Sequence, residues 1–287
     1  MLRALELLYA LGALDEAGKL TRPLGALLAE LPVPPQLGRA LLCAGELRCV
    51  QQMLTVAACL QVQSLWLGRA GFAGGTPGWE EARARFAVAE GDHVTALNAY
   101  SAYAKQPPHG RHAWCARNAL SSRALARVAD VRRQLAAHLA AAGVVDAPPP
   151  QDEPHVQRDA ASVRRALTAG FFAHAAKRAS GGCVKKNANV LVIMLSLLRT
   201  RALTGAAPPA LAPRSDGAEG ARYVSVRTGA SLWVHPSSVL HRCAPEAVLY
   251  DTALHTDKLY MRDVAAISLD WLPELAPHFY EKRAITQ

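Results

Sequence analysis

The sequence lacks the closely spaced cysteines that hold small secreted domains or zinc ribbons together. Its 287 residues include six cysteines, and no two of them have C-x-x-C spacing. These are Cys43, Cys49, Cys59, Cys115, Cys183 and Cys243. A disulfide framework or a zinc ribbon needs more regular spacings, so we expect reduced thiols of a nuclear or cytosolic protein.

Long apolar runs are also missing. The longest run, residues 190–198, is less than half of the about 20 residues that a helix needs to cross a bilayer. Glu6 lies inside the first apolar stretch, and no small-residue cleavage site follows it. We therefore expect no membrane partner and no targeting segment.

The sequence has no motif for nucleotide hydrolysis. The string most similar to a phosphate-binding loop, residues 12–20, has five residues between its glycines and ends in Leu20, where a hydroxyl would hold magnesium. Asp92-His93 lacks the acidic pair that positions metal and water. There is no G-x-S-x-G elbow. The sequence therefore predicts no catalytic residue and no cofactor on this chain.

A metal site is a weaker possibility. His109, His112 and Cys115 form H-x-x-H-x-x-C, which supplies three of the four ligands that structural zinc requires. No fourth ligand is adjacent, so we predict no metal site.

Basic residues are in excess. The formal net charge is +9, which favours an anionic partner. Residues 111–133 contain six arginines and one acidic residue, Asp130. Arg123 and Arg127 are one helical turn apart and can contact a common partner. The alternative is an ordinary solvated helix in which Arg127 pairs with Asp130.

The periodicity of the apolar residues changes along the chain. Up to about residue 177 it is helical, with one continuous helix predicted over residues 117–142 and another over 162–177. Residues 223–267 instead contain short runs rich in β-formers, separated by turns. This order predicts an α+β chain that ends in a small antiparallel barrel.

Several strings resemble the C-terminal end of DEAH-box ATP-dependent RNA helicases of the pre-mRNA splicing type, and they follow the order found in that family. They are residues 25–35, GDHVTALN at 91–98, AGFF at 169–172, VHPSSVL at 234–240, LYMRDV at 259–264 and DWLPELAPHFY at 270–280. The resemblance implies the end of a winged helix at 1–31, a helical ratchet domain at 32–147, a linker at 148–161, and a connecting helix with an OB-fold at 162–287.

The resemblance also implies which residues meet RNA. In the family's ratchet string, this chain matches at Trp114, Cys115, Asn118, Arg123 and Arg132, among others, and departs from it at Arg117 and Val128. The predicted RNA-binding residues are Asn118, Arg123, Arg127, Arg132, Lys177, His235, Ser237, Lys258 and Arg262. Tyr223, Trp233 or Tyr260 could stack a base, although packing under the barrel is the stronger explanation for Trp233.

The function implied is that of an accessory module that guides single-stranded RNA in pre-mRNA splicing. Its expected partners are the RNA, helicase motor domains upstream and spliceosomal proteins. ATP and magnesium would act only through those motor domains, so this chain alone should hydrolyse nothing. The expected location is the nucleus, with the cytoplasm as a further site. The alternative is a stand-alone, non-catalytic protein that binds RNA or docks on the spliceosome.

Residues 183–221 have no counterpart in the family pattern. They contain an apolar stretch followed by a Pro- and Ala-rich segment, a composition typical of disorder. Two explanations remain open: a lineage-specific insertion, or intron sequence retained in the gene prediction. The exposed apolar stretch favours retained intron, because such runs promote aggregation.

Overall fold

The computed structural model describes residues 2–68, 75–144, 160–179, 220–277 and 279–280. Most of the predicted insertion and of the predicted linker lies outside these residues. The helices described are α1 (Leu2–Ala10), α2 (Leu24–Glu30), α3 (Pro35–Glu46), α4 (Val50–Leu60), α5 (Gly75–Ala84), α6 (Asp92–Ala104), α7 (Arg111–Arg117), α8 (Ser122–Ala141), α9 (Ala160–Phe171) and α10 (Trp271–Leu275). No helix in these ranges is long and apolar enough to span a membrane.

The helix predicted over 117–142 is interrupted. Residues 118–121 separate α7 from α8, because Ala119 has a φ of +54° and Leu120 bridges to Trp66 of the α4–α5 loop. The new helix begins where Ser121 Oγ accepts a hydrogen bond of 3.2 Å from Ala124 N–H. The apolar stripe that the periodicity predicted is buried, and α8 packs on α4.

The helix predicted over 162–177 ends earlier than expected. After α9 the chain makes one 3₁₀ turn, Phe172–His174, and enters strand β1 (Ala175–Arg178). Lys177 therefore belongs to the barrel.

Five strands form a closed barrel in the order β1-β2-β3-β5-β4. The further strands are β2 (Arg222–Ser225), β3 (Ser231–Val234), β4 (Ala247–His255) and β5 (Leu259–Ile267). All pairings are antiparallel except β3 with β5, which is parallel. Tyr223, Leu232, Val234 and Met261 fill the interior. The predicted α+β architecture, helical bundle followed by an OB-type barrel, is confirmed.

The helical part is joined to the barrel at the start of α6. Glu90 O accepts a hydrogen bond from Ala266 N–H, and the Asp92 carboxylate accepts one of 2.9 Å from each of the Val239 and Val264 N–H groups. Gly91 makes this approach possible: its φ is +118°, and a Cβ atom there would lie 2.3 Å from Val264 O. The Gly-Asp pair of the GDHVTALN string is therefore a structural joint.

Candidate nucleic-acid interface

The parallel pairing of β3 with β5 brings six chemically useful side chains together. Trp233 lies opposite Tyr260, and Val234 opposite Met261. Val234 and Met261 point into the barrel, so their neighbours along each strand point outward. We call this outward surface the β3–β5 strip. Its members are Trp233, Tyr260 and Arg262 on the strands, together with His235, Ser237 and Lys258 just beyond the strand ends.

Contacts within the strip combine aromatic rings with cations. Lys258 Nζ lies 5.3 Å from the centre of the Trp233 ring. The rings of His235 and Tyr260 meet edge to face, with their centres 5.9 Å apart. Both Trp233 and Tyr260 are partly exposed, so neither is packed under the barrel. Tyr223 differs: it is fully buried, and its hydroxyl donates to Pro245 O, so the prediction that it stacks a base does not fit.

The geometry of the His235 ring defines its tautomer. Ser237 N–H donates to His235 Nδ1 at 3.1 Å, and Ser237 Oγ lies 2.7 Å from the same nitrogen. Nδ1 must therefore be the acceptor, which leaves Nε2 to carry the proton. Burial, with smaller effects from Arg262 and His241, lowers the His235 pKa. The side chain is thus a neutral donor at neutral pH, and the positive charge of the strip comes from Lys258 and Arg262.

A cleft continues from one end of the strip to the helical part. Ser237, Arg262 and Asp263 form its barrel side, and the loop 62–68 with the start of α6 forms the other side. Its volume is about 270 Å³. The loop is held in place by two backbone hydrogen bonds, from Leu67 N–H to Ala119 O and from Ser121 N–H to Leu65 O.

Two tryptophans and an arginine line the helical side of the cleft. The Arg83 guanidinium lies 5.3 Å from the centre of the Trp66 ring and 5.4 Å from that of Trp79. Trp79 Nε1 donates to Leu67 O at 2.7 Å. Arg83 Nη2 is also 3.9 Å from Asp92 Oδ1. These contacts hold a flat aromatic and guanidinium wall in a defined position.

The charges around the cleft are balanced. Arg83 and Arg262 are matched by Asp92 and Asp263. His93 is 3% exposed, and burial lowers its pKa although nearby carboxylates act in the opposite direction. It is therefore neutral at neutral pH. The carboxyl of Asp263 is crowded by protein although the residue as a whole is exposed, and this desolvation raises its pKa.

Three of the other predicted RNA-binding residues lie in the barrel or the helical part, away from the strip. Lys177 lies on β1, which pairs with β2 and β4. Asn118 is 6% exposed; its side chain donates to Trp114 O and accepts from Arg85. Arg132 is 5% exposed and donates to Thr55 and Gln51 of α4. RNA contact remains a prediction for all three, but the observed partners of Asn118 and Arg132 are inside the protein.

Comparison with known proteins yields three domain matches in succession. The chain matches the winged-helix Helicase associated domain (HA2) over residues 4–33, the ratchet-like HA2 domain over 34–96, and the oligonucleotide/oligosaccharide-binding (OB) fold over 163–280. The order is the one that the resemblance implied. The boundaries at residues 31, 147 and 161 stay predictions.

Full-length relatives cover almost the whole chain. The human "Probable ATP-dependent RNA helicase DHX35" is 35% identical over 98% of this chain and 33% of its own length. The Schizosaccharomyces pombe "Pre-mRNA-splicing factor ATP-dependent RNA helicase prp22" is 32% identical over 98% of this chain and 20% of its own length. The chain belongs to the C-terminal region of the DEAH-box RNA helicases. It spans about a third or less of the curated relatives that it matches.

Another DEAH-box relative is more distant in sequence. The Arabidopsis thaliana "Pre-mRNA-splicing factor ATP-dependent RNA helicase DEAH10" is 29% identical over 98% of this chain and 34% of its own length.

Two features of this DEAH-box region were not predicted from the sequence. Trp66 and Arg83 were not candidates, because neither belongs to a recognised string. The Trp66 loop could have been suspected only from the polar residues Gln61, Gln63 and Ser64, which interrupt an otherwise apolar stretch. The H-x-x-H-x-x-C string gains no support as a zinc site: no three His, Cys, Asp or Glu side chains within the described ranges are grouped to hold a metal.

Arg123 and Arg127 are exposed on α8 of this DEAH-box region. Asp130 forms its ion pair with Arg133, so the alternative pairing with Arg127 is not observed. Replacing Arg123 and Arg127 together by Gln should lower the affinity for single-stranded RNA and reduce the salt slope by about 0.7 for each phosphate that is no longer neutralised. Dissociation constants across a salt series would measure this. An unchanged affinity and slope would show that both arginines are only a solvated face.

Proposed function

We propose that this chain is the RNA-binding accessory module of a DEAH-box ATP-dependent RNA helicase, and that it guides single-stranded RNA during pre-mRNA splicing. The observation that carries this proposal is the β3–β5 strip. Lys258 and Arg262 flank the partly exposed ring of Tyr260, and the partly exposed ring of Trp233 lies opposite Tyr260 on β3. Cations beside exposed aromatic rings are the combination that single-strand binding uses.

The strip can bind RNA without reading its sequence. Lys258 and Arg262 can each meet a phosphate, and phosphates carry no base identity. Trp233 and Tyr260 offer ring surfaces on which any base can stack. A helicase has to translocate along RNA of many sequences, and binding that does not depend on sequence suits that task.

The chemical work of the helicase would belong to motor domains outside this chain. ATP and magnesium would bind there, because the present sequence has no phosphate loop and no metal-binding acidic pair. The role of this chain would be to hold the RNA strand while movement of the motor domains advances it. By itself it should hydrolyse no ATP.

The assignment to splicing is supported by the names of two relatives, prp22 and DEAH10, which are both called pre-mRNA-splicing factors. It implies a nuclear location and spliceosomal protein partners.

The strip can be tested with a double variant, Lys258→Gln with Arg262→Gln. Because two phosphates would then have no cation beside them, binding of single-stranded RNA should weaken about ten-fold or more at low salt, and the salt slope should become shallower by about 0.7 per phosphate. The effect should be the same for oligo-U and for mixed sequences. Fluorescence anisotropy across a salt series measures both quantities.

The control is Lys19→Gln with Arg22→Gln, which removes two exposed cations far along the chain from the barrel. It should change the affinity much less, because only the general charge of the protein falls. Equal effects of the two double variants would mean that binding follows net charge and that the strip has no special part in it.

A further inference from the structure

The cleft at the end of the strip differs from the strip in its chemistry. Val56, Leu60, Ala96 and Trp66 contribute apolar surface to its lining. Polar groups lie at its barrel side, where Ser237, Arg262 and Asp263 provide a hydroxyl, a donor and an acceptor. A lining that combines apolar side chains with convergent polar groups can bind a small ligand.

The charges and the size restrict the ligand. Two arginines and two aspartates balance each other around the cleft, and Arg83 already has Asp92 beside it, so a phosphate gains little there. A neutral, flat group with donors and acceptors on its edge fits better. The cleft volume of about 270 Å³ lies just below the range of about 300–1,000 Å³ for the sites of drug-sized ligands, so the cleft suits a ligand as small as one base.

Because Ser237 and Arg262 belong to both the strip and the cleft, a strand that follows the strip reaches the cleft directly. We propose that the cleft binds one unstacked RNA base, which lies against the Trp66 and Arg83 wall and is hydrogen-bonded at its edge by Ser237 and Asp263, while Arg262 contacts a phosphate of the same strand. This inference rests on the proposed RNA-binding function. It adds a separate site for one base. At this site, between the helical part and the barrel, one base no longer stacks on its neighbours in the RNA.

The test uses the complete chain and single-stranded RNA containing 5-iodouridine, whose irradiated base couples to adjacent aromatic side chains. Mass spectrometry of the cross-linked peptides would locate the base. We expect one cross-link at Trp66, besides those at Trp233 or Tyr260 on the strip. The variant Ala96→Leu fills the cleft without removing any polar group. It should abolish the Trp66 cross-link, leave the strip cross-links in place, and lower the affinity about five-fold or more, the smaller end of the effect of one stacked base.

The matched control is Ala102→Leu, the same change on the same helix at a half-buried position that does not line the cleft. It should keep the Trp66 cross-link and the affinity. Gly68→Leu adds a side chain in the open space beside Gly68, which also lines the cleft, and replaces Ala96→Leu if that variant does not fold. Cross-links on the strip alone, or a Trp66 cross-link that persists in a folded cleft-filling variant, would overturn the base site and leave the proposed function standing. Absence of RNA binding by the unmodified chain would overturn both.

Discussion

Replacing Gly170 by Ala should destabilise the protein severely. Gly170 lies in α9, where that helix crosses α3, and a Cβ atom there would be 2.0 Å from Gln36 O and 3.0 Å from the Ala40 backbone N. Both are backbone atoms of α3, so no side-chain rotation can relieve the clash and the two helices must separate. We expect a loss of about 3 kcal/mol or more in the free energy of unfolding, the upper end of the usual cost of overpacking.

Gly45→Ala is the matched control. Gly45 is also a helical glycine, in α3, but the atom that a Cβ there would approach most closely is Val144 Cγ1 at 4.0 Å. Alanine favours a helix over glycine by up to about 1 kcal/mol, so this variant should be slightly more stable than the unmodified chain. Urea unfolding followed by circular dichroism gives both midpoints. If both variants unfold at the same urea concentration, the close crossing of α3 and α9 is not present in solution.

Gly170 illustrates how much of the fold could be predicted from the sequence. The AGFF string was identified only because it resembles the family pattern. The physical reason for its glycine is the close contact between α9 and α3, which the sequence alone does not show. The positions of most helices and of the barrel strands were predictable because apolar periodicity is a local signal. The break between α7 and α8 was not, since it depends on a bridge between Leu120 and Trp66, which are 54 residues apart.

The site was only partly predictable for the same reason. Four residues of the strip, His235, Ser237, Lys258 and Arg262, were named from the resemblance. Their grouping depends on the parallel pairing of β3 with β5, which joins distant residues and has no local signature. The cleft was missed because its helical side comes from Trp66 and Arg83, whose arrangement requires the whole α4–α6 region to be folded.

Asp92 has a structural role, although it is not part of a nucleotide-hydrolysis motif. Asp92-His93 is not a nucleotide-hydrolysis box. That exclusion does not explain why an acidic residue occupies position 92. Its carboxylate in fact accepts from Val239 and Val264 of the barrel. A buried backbone donor that loses its acceptor costs about 1–3 kcal/mol. The acid is therefore best understood as the link between the helical part and the barrel.

Replacing Asp92 by Ala should accordingly remove two acceptors at once and leave both N–H groups without a partner. We expect a loss of about 3 kcal/mol in the free energy of unfolding, somewhat below the sum of two full penalties because water can reach the widened joint. Asp92→Asn keeps one acceptor oxygen but directs its NH₂ group at the other donor, so its effect should be intermediate. Asp130→Ala, which removes the acid that pairs with exposed Arg133, should cost less than about 1 kcal/mol.

Hydrogen exchange makes this prediction specific to the joint. The amides of Val239 and Val264 should lose protection in Asp92→Ala by more than the fall in global stability explains, because their acceptor is the missing side chain itself. Amides in the centre of α8 should change only with global stability. The two sides of the cleft would then be free to separate, so RNA affinity should also fall under conditions in which the variant is still folded. Unchanged exchange at Val239 and Val264 would show that Asp92 does not hold the barrel to the helices, and the cleft would then need another support.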